Sequence, residues 1–286
     1  VTFILAVLGK KSAWLLADRR LSYPNRHRDD GCKMLEVSAR DGSALLGYAG
    51  LGASARQTEP SEWMNDLLID LPAMPLENYI GVLVEEMRKS LPIHISKMPV
   101  AGHFVVAPAI VEGAPRLYTI GLVLGPAGEP IMQTNRYMRL DKSKWFPRIG
   151  VGGSGASHLD PVGDWYRNLF RLIAAFEKGR VSPLNVADFL AGLNANVSRK
   201  DSLVSPKCIV KWHCDGGGVQ FYDGADRCEQ DRTVPVIADG LDIGRIAKSI
   251  LSYIGEDFDK FIGGDFDKEE AQKHLDKAYQ EPRKKL

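Results

Sequence analysis

The feature that most constrains this chain is that its hydrophobic period changes in blocks, not element by element. Thr2 to Leu8 is an apolar run rich in β-formers, Gly9-Lys10-Lys11 is a turn, and Ala13 to Ala17 is a second run ending at Asp18. Cys32 to Ser38 and Ser43 to Tyr48 follow around the Arg40-Asp41-Gly42 turn, so the chain opens with paired hairpins and not with strand-helix alternation. From Pro60 to Leu91 the period becomes helical, with Trp63, Leu67, Leu68, Ile80, Leu83, Val84 and Met87 in phase, an interruption at Pro72 and Pro75, and a stop at Pro92. Strands resume at His103 to Ile110, Leu117 to Leu124 and Ile131 to Thr134, with turns at Glu112-Gly113 and Gly125 to Gly128. After the Gly-rich segment from Gly150 to Gly155, Trp165, Leu169, Leu172, Ile173 and Phe176 mark a third helix, and Pro183 with Val186 to Ala195 a fourth. A last hairpin joins Ile209 to Trp212 and Val219 to Tyr222 through Gly216-Gly217-Gly218. Two blocks of strands interleaved with two blocks of helices require sheets that bury both faces. The predicted class is therefore α+β, a four-layer α-β-β-α sandwich with helices outermost.

That body is expected over residues 2–240, and a different pattern begins at 241–286, a helical, charge-rich C-terminal extension. Ile243 to Ile254 reads as one amphipathic helix, and residues 256–286 hold nine acidic and seven basic side chains, a solvated composition. Across all 286 residues, 37 Lys and Arg oppose 36 Asp and Glu, so the formal charge is only +1 and no basic field invites a nucleic-acid backbone. No apolar stretch is long enough to span a bilayer, and Lys10, Lys11, Asp18, Arg19 and Arg20 interrupt the opening segment, so the reading is cytoplasmic with no membrane partner. Cys32, Cys208, Cys214 and Cys228 are too few for a disulfide framework in this length. They do not combine with His27, His94, His103, His158, His213 or His274 at metal-ligand spacings, so no metal or cofactor is expected. Cys32 beside Lys33 is weighed as a reactive thiol, with a buried strand cysteine the favoured reading.

Several ordered fragments between residues 2 and 222 resemble the proteasome β-subunit family of amino-terminal-nucleophile hydrolases, as a bacterial member. Thr2-Phe3-Ile4-Leu5-Ala6-Val7 is similar to the family's first strand led by its catalytic threonine, and Asp18 stands sixteen residues after Thr2 within Ala17-Asp18-Arg19-Arg20. Cys32-Lys33-Met34 resembles the lysine-bearing start of the third strand. Leu46-Gly47-Tyr48-Ala49-Gly50-Leu51-Gly52-Ala53 resembles the Gly-rich entry to the first helix, and Arg116-Leu117-Tyr118 a central strand. Ile149-Gly150-Val151-Gly152-Gly153-Ser154-Gly155-Ala156 is similar to the Gly-Ser-Gly segment before the third helix. Two departures stand out. Lys33 follows Thr2 by 31 residues, one fewer than the family's spacing, which a shortened Asp29-Asp30-Gly31 loop absorbs. The family's Asp-x-x-Ser-Gly-Gly support reads Asp201-Ser202-Leu203-Val204-Ser205-Pro206-Lys207, with the serine one position later and both glycines absent.

The resemblance implies a threonine endopeptidase or amidohydrolase. Thr2 would supply the nucleophilic hydroxyl and its own α-amine the base, because an α-amine has a pKa near ~8 against ~10 for a lysine ammonium. The chain opens with Val1, which a GTG start read literally or a cleavage upstream would explain, and loss of residue 1 would free that amine. Lys33 would sit in the cavity as an ammonium, Asp18 would pair with it, and the backbone N–H of Gly50 would face the oxyanion. Ser154 would bond the Thr2 amine or its water, with Asp201 and Ser205 as the remaining support, while Arg20 would secure local structure. The implied partners are a peptide or amide substrate and a homo-oligomeric ring built on the first helices through Trp63, Met64, Leu67 and Leu68, with the need for an ATPase partner left open. The polar loop Arg26-His27-Arg28-Asp29-Asp30 hints at acidic or polar substrates. The alternatives are a non-catalytic proteasome-like scaffold subunit and a small-amide hydrolase of the same mechanism.

Overall fold

The structure is a computed structural model and describes residues 2–23, 26–49, 59–90, 102–125, 130–138, 148–159, 163–214 and 217–247. Its first strands, β1 (Ile4–Leu8) and β2 (Ala13–Asp18), are buried at every position. That follows from the continuous apolar runs in the sequence, since a strand covered on both faces has no polar side to present. Odd positions Phe3, Leu5 and Val7 join one apolar cluster, and even positions Ile4, Ala6 and Leu8 join another.

Two large sheets result. One runs in the order β10 (Ile149–Gly152), β1, β2, β11 (Lys207–His213), β12 (Gly218–Asp223), β13 (Asp226–Cys228). The other runs β15 (Leu241–Asp242), β14 (Val236–Ala238), β5 (Met34–Ala39), β6 (Gly42–Tyr48), β7 (Gly102–Val111), β8 (Ala114–Leu124), β9 (Pro130–Met138). A small hairpin, β3 (Leu21–Tyr23) with β4 (Arg26–Arg28), projects between β2 and β5. Neighbouring strands pair antiparallel except β14 on β5, which pair in parallel.

Three apolar clusters tie these pieces together. Ile4, Leu15 and Ile209 of the first sheet share one cluster with Met34, Leu45 and Val106 of the second. On the second sheet's other face, α1 (Pro60–Leu68) and α2 (Leu76–Ser90) place Met64, Leu68, Tyr79 and Leu83 against Leu35, Val37, Leu46 and Tyr118. On the first sheet's other face, α3 (Asp164–Phe176) and α4 (Pro183–Ser198) place Leu169, Ile173, Val186 and Leu190 against Phe3, Trp14 and Val210. Burying each such side chain fully is worth about 1.5–3 kcal/mol before conformational entropy is charged against it. Trp14 lies 5.2 Å edge-on from Phe176 and 5.6 Å from Trp212, locking β2, β11 and α3 at one corner.

Proline placement shapes the helices as the sequence predicts: Pro60 and Pro183 occupy first-turn positions where a missing N–H costs nothing, each behind a capping box at Glu59 and Ser182. Several features depart from expectation. The β3–β4 hairpin, the short 3-10 turn Ser154–His158, and strands β13 to β15 have no counterpart in the periodicity. Residues 236–242 return to the edge of the second sheet, so residues 241 and 242, expected to open a helical extension, form β15. Residues 243–247 are helical, and the rest of the expected 243–254 helix and the charged tail lie outside the described residues. Met64 and Leu68 are wholly buried against their own sheet, so of the four α1 side chains expected to carry spare apolar area only the half-buried Trp63 and Leu67 still offer any.

Between the sheets, at the His213 end of β11, sits a polar cluster. Lys211 Nζ lies 2.8 Å from Glu36, His213 Nδ1 lies 3.6 Å from the same carboxylate, and His213 Nε2 shares a 2.7 Å hydrogen bond with Ser43 Oγ. Since β11 and β2 run antiparallel with Cys208 opposite Asp18 and His213 opposite Ala13, this cluster marks the far end of the interlayer from Asp18.

Candidate active site

The start of β1, the end of β2 and the start of β5 converge at one end of the sheets. The β1–β2 hairpin pairs Ile4 with Ala17, which sets Thr2 and Phe3 alongside Asp18. Phe3 N–H donates to Asp18 Oδ1 at 2.7 Å, and Asp18 N–H donates to the Phe3 carbonyl at 3.0 Å. Lys33 arrives from the second sheet, one residue before β5. Its Nζ stands 2.8 Å from Thr2 Oγ1 and 2.9 Å from Asp18 Oδ1. All three are buried, at 2% (Thr2), 0% (Asp18) and 2% (Lys33) exposure, so the contacts act in a medium that screens charge weakly.

A carboxylate removed from water needs its lone pairs filled, and Asp18 meets that need. Beyond Phe3 and Lys33, its Oδ2 accepts the Arg20 N–H at 2.9 Å and the Ser205 N–H at 3.2 Å. Four donors thus hold it, from four chain segments. For Lys33 the balance tips the other way: burial pushes its ammonium below the ordinary lysine range, and the attraction of Asp18 recovers only part of that shift.

The Gly-rich segment meets Thr2 through its backbone. Gly155 N–H donates to the Thr2 carbonyl at 3.3 Å. Gly153 has φ of 87°, and a Cβ there would lie 1.9 Å from the Thr2 carbonyl oxygen, so only glycine permits this approach. Ser154, between them, donates from Oγ to Asp201 Oδ2 at 2.7 Å. The other Asp201 oxygen accepts the Leu203 N–H at 2.9 Å.

The altered spacing after Asp201 has a local resolution. Val204 tucks into the core at 1% exposure, its N–H bonded to the Asp201 carbonyl at 3.0 Å, and Ser205 then presents its backbone N–H to Asp18. Asn194 Nδ2 holds the Ser205 carbonyl at 2.9 Å, and the Ser205 hydroxyl accepts the Lys207 N–H at 3.1 Å. Ser205 therefore meets Asp18 through its main chain, with its hydroxyl serving the turn into β11. Arg20 pairs with Asp29 at 2.7 and 2.8 Å and donates to the Ser202 carbonyl, tying the loop before Lys33 to the loop after α4. Gly50, expected at the oxyanion, lies outside the described residues.

Other candidates resolve differently. Cys32, two residues before β5, is fully buried, its thiol's pKa pushed up by desolvation and its Sγ bonded to the Met34 carbonyl at 3.4 Å, which favours the buried-cysteine reading over a reactive thiol. Among the described residues no group of His, Cys, Asp and Glu could hold a metal ion, and no helix is long and apolar enough to cross a membrane. In the polar loop, Arg28 pairs with Asp30 at 3.0 Å and with Glu59, and Asp29 pairs with Arg20, so these charges are satisfied within the chain. Sequence reasoning missed Glu59 and Arg232. The Glu59-Pro60-Ser61-Glu62 capping signature was a readable signal for the helix start, but nothing local linked its carboxylate to residue 32.

No protein-family model matches this chain, and no curated relative does. Among solved structures it is similar to a Gly-1 mutant of Anbu from Hyphomicrobium sp. strain MC1, at 15% identity over 81% of this chain and 88% of that one, with a TM-score of 0.49. Anbu from the same strain matches at 14% identity over 80% and 88%, with a TM-score of 0.48. Anbu, described as an ancestral beta-subunit, from Yersinia bercovieri matches at 13% over 80% and 88%, with a TM-score of 0.47. These likenesses are too distant to carry a functional assignment, which rests instead on the Thr2, Asp18 and Lys33 geometry.

Proposed function

We propose that this chain is a threonine-type peptidase or amidohydrolase built as a four-layer α-β-β-α sandwich, acting as a homo-oligomeric ring in the cytoplasm. The observation that carries the reading is the shared ammonium: Lys33 Nζ stands 2.8 Å from the Thr2 hydroxyl and 2.9 Å from Asp18, all three buried. With residue 1 removed, the Thr2 α-amine takes the hydroxyl proton, directly or through a water, as Oγ1 attacks the substrate carbonyl. Lys33 orients Oγ1 and, as a neighbouring cation, lowers the amine's pKa toward neutrality. The amine then protonates the leaving nitrogen, and water hydrolyses the acyl-enzyme. Asp18 fixes Lys33, and Ser154, held by Asp201, sits beside the Thr2 backbone.

The 2% exposure of Thr2 is the observation that favours a silent scaffold subunit instead. One experiment separates them. Protein prepared with Thr2 at its amino terminus is treated with a peptide β-lactone, and intact mass reads the adduct. Acylation of the wild type and none of Thr2→Ala supports the enzyme; a wild type that stays unmodified, or a Thr2→Ala variant acylated equally, refutes it.

A further inference from the structure

We infer that Glu59 is a positioning residue for Lys33, acting through the backbone of Cys32. This rests on the reading of Thr2 as nucleophile and Lys33 as the group that orients it. Lys33 Nζ must be held within hydrogen-bond reach of two partners in the first sheet, while its main chain belongs to the second. Its carbonyl side is set by the sheet, where Tyr48 N–H donates to the Lys33 carbonyl at 2.9 Å. Its amino side emerges from the Asp29-Asp30-Gly31 loop, where no ladder fixes it. There Cys32 is clasped by the N-terminus of α1: Cys32 N–H donates to Glu59 Oε2 at 2.9 Å, and Ser61 N–H approaches the Cys32 carbonyl at 3.4 Å.

Glu59 is built for more than capping a helix. Ser, Thr, Asp and Asn are the preferred N-cap residues, and glutamate is not among them; its extra methylene instead carries the carboxylate across to Cys32. The side chain is only 6% exposed, and two arginines clasp its carboxylate, Arg28 from β4 and Arg232 from the segment between β13 and β14. A desolvated carboxylate is tolerated only when paired in this way, and pairing with guanidinium groups gives it a fixed direction. The same segment grips the loop a second time. Arg19 Nη2 bonds both Asp231 oxygens at 2.9 Å and the Asp30 carbonyl at 2.8 Å. The crossover from the first sheet to β14 thereby clamps the turn that delivers Lys33, and Glu59 is its contact with that turn's backbone.

The test reads the saturated rate of Thr2 acylation by the β-lactone, across pH, in protein with Thr2 at its amino terminus. In that step the Thr2 Oγ–acyl bond forms, the lactone acyl C–O bond breaks, and the hydroxyl proton passes through the α-amine to the ring-opened alkoxide. Glu59→Gln should lower the saturated rate by about 10²-fold, the effect of misplacing a catalytic group by about 1 Å, with the half-saturating probe concentration little changed. Its pH profile should also shift, because Lys33 no longer holds its distance from the amine. Arg232→Ala should move both readouts in the same direction by less, which keeps the test intact if Glu59→Gln folds poorly. Glu62→Ala, which removes the helix's half of the capping box, should leave rate and profile at wild-type values. Glu59→Gln or Arg232→Ala with a wild-type rate and profile overturns the inference while Thr2→Ala remains dead. A wild type without acylation at Thr2 overturns both this inference and the function it rests on.

Discussion

Gly153→Ala places a single methyl group where the Gly-rich segment passes the Thr2 main chain. Two costs follow. The residue's φ of 87° with ψ of 174° lies in a region essentially reserved for glycine and costs an L side chain about 1–3 kcal/mol. The new Cβ would also stand 1.9 Å from the Thr2 carbonyl oxygen and 2.5 Å from its carbon, which are backbone atoms that no rotamer change can move aside. Relief requires a shift of about 1 Å, and overpacking of this kind costs about 1–3 kcal/mol. The expected loss is therefore about 3 kcal/mol in urea unfolding followed by tryptophan fluorescence. Gly179→Ala is the control: it has φ of 68° with open space around its Cβ, so it carries the backbone cost alone, about 1 kcal/mol. A shift of Thr2 also breaks the 2.8 Å contact from Lys33, so acylation by the β-lactone should fall about 10²-fold in Gly153→Ala and not in Gly179→Ala. Equal stability losses in the two variants, or a Gly153→Ala protein acylated at the wild-type rate, would refute the claim that this loop sets the position of Thr2.

Lys33→Met should destabilise the fold by about 3 kcal/mol, because Asp18 keeps three backbone donors but loses the ammonium bonded to it; Asp18→Asn should cost a comparable amount, and a double-mutant cycle should show coupling of about 1–3 kcal/mol. Strict additivity would show that the pair is not a unit. At the other end of the interlayer, burial raises the Glu36 carboxyl's pKa, but His213 and Lys211 outweigh it and hold the group below its ordinary range. A depressed carboxylate stabilises the fold above its unfolded pKa, near ~4.3, and that contribution disappears as pH falls through the folded value. Glu36→Gln should accordingly lose less stability than wild type between about pH 5 and pH 3, and parallel curves would contradict the assignment. For assembly, native mass spectrometry should find a discrete particle several times the 31.6 kDa chain mass, while monomer alone at micromolar concentration would exclude a ring.

Local pattern was enough wherever one stretch of chain decides its own state. The buried runs of β1 and β2, the prolines that open α1 and α4, and the interruption at Pro72 and Pro75 were legible because strand period, helix period and proline geometry are properties of neighbouring residues. Thr2, Asp18 and Lys33 were marked as residues to watch by the family resemblance of the fragments around them, not by local pattern. What the sequence could not determine was decided by contacts across long chain separations. Strands β14 and β15 are too short to show a period, and β14 exists because β5 offers an edge to pair with, about two hundred residues earlier in the chain. The fold also brings Asp201 within 2.7 Å of the Ser154 hydroxyl from 47 residues along the chain, a meeting that no local pattern announces. Ser205 reaches Asp18 by its main chain because burying Val204 absorbs the extra residue. Glu59 carries no local mark of its partners, for Arg28 and Arg232 flank it only once hairpin, helix and crossover are packed. A sequence specifies which side chains can do chemistry; which of them meet depends on burial, which makes an unpaired charge so costly that the tertiary fold must supply its partner.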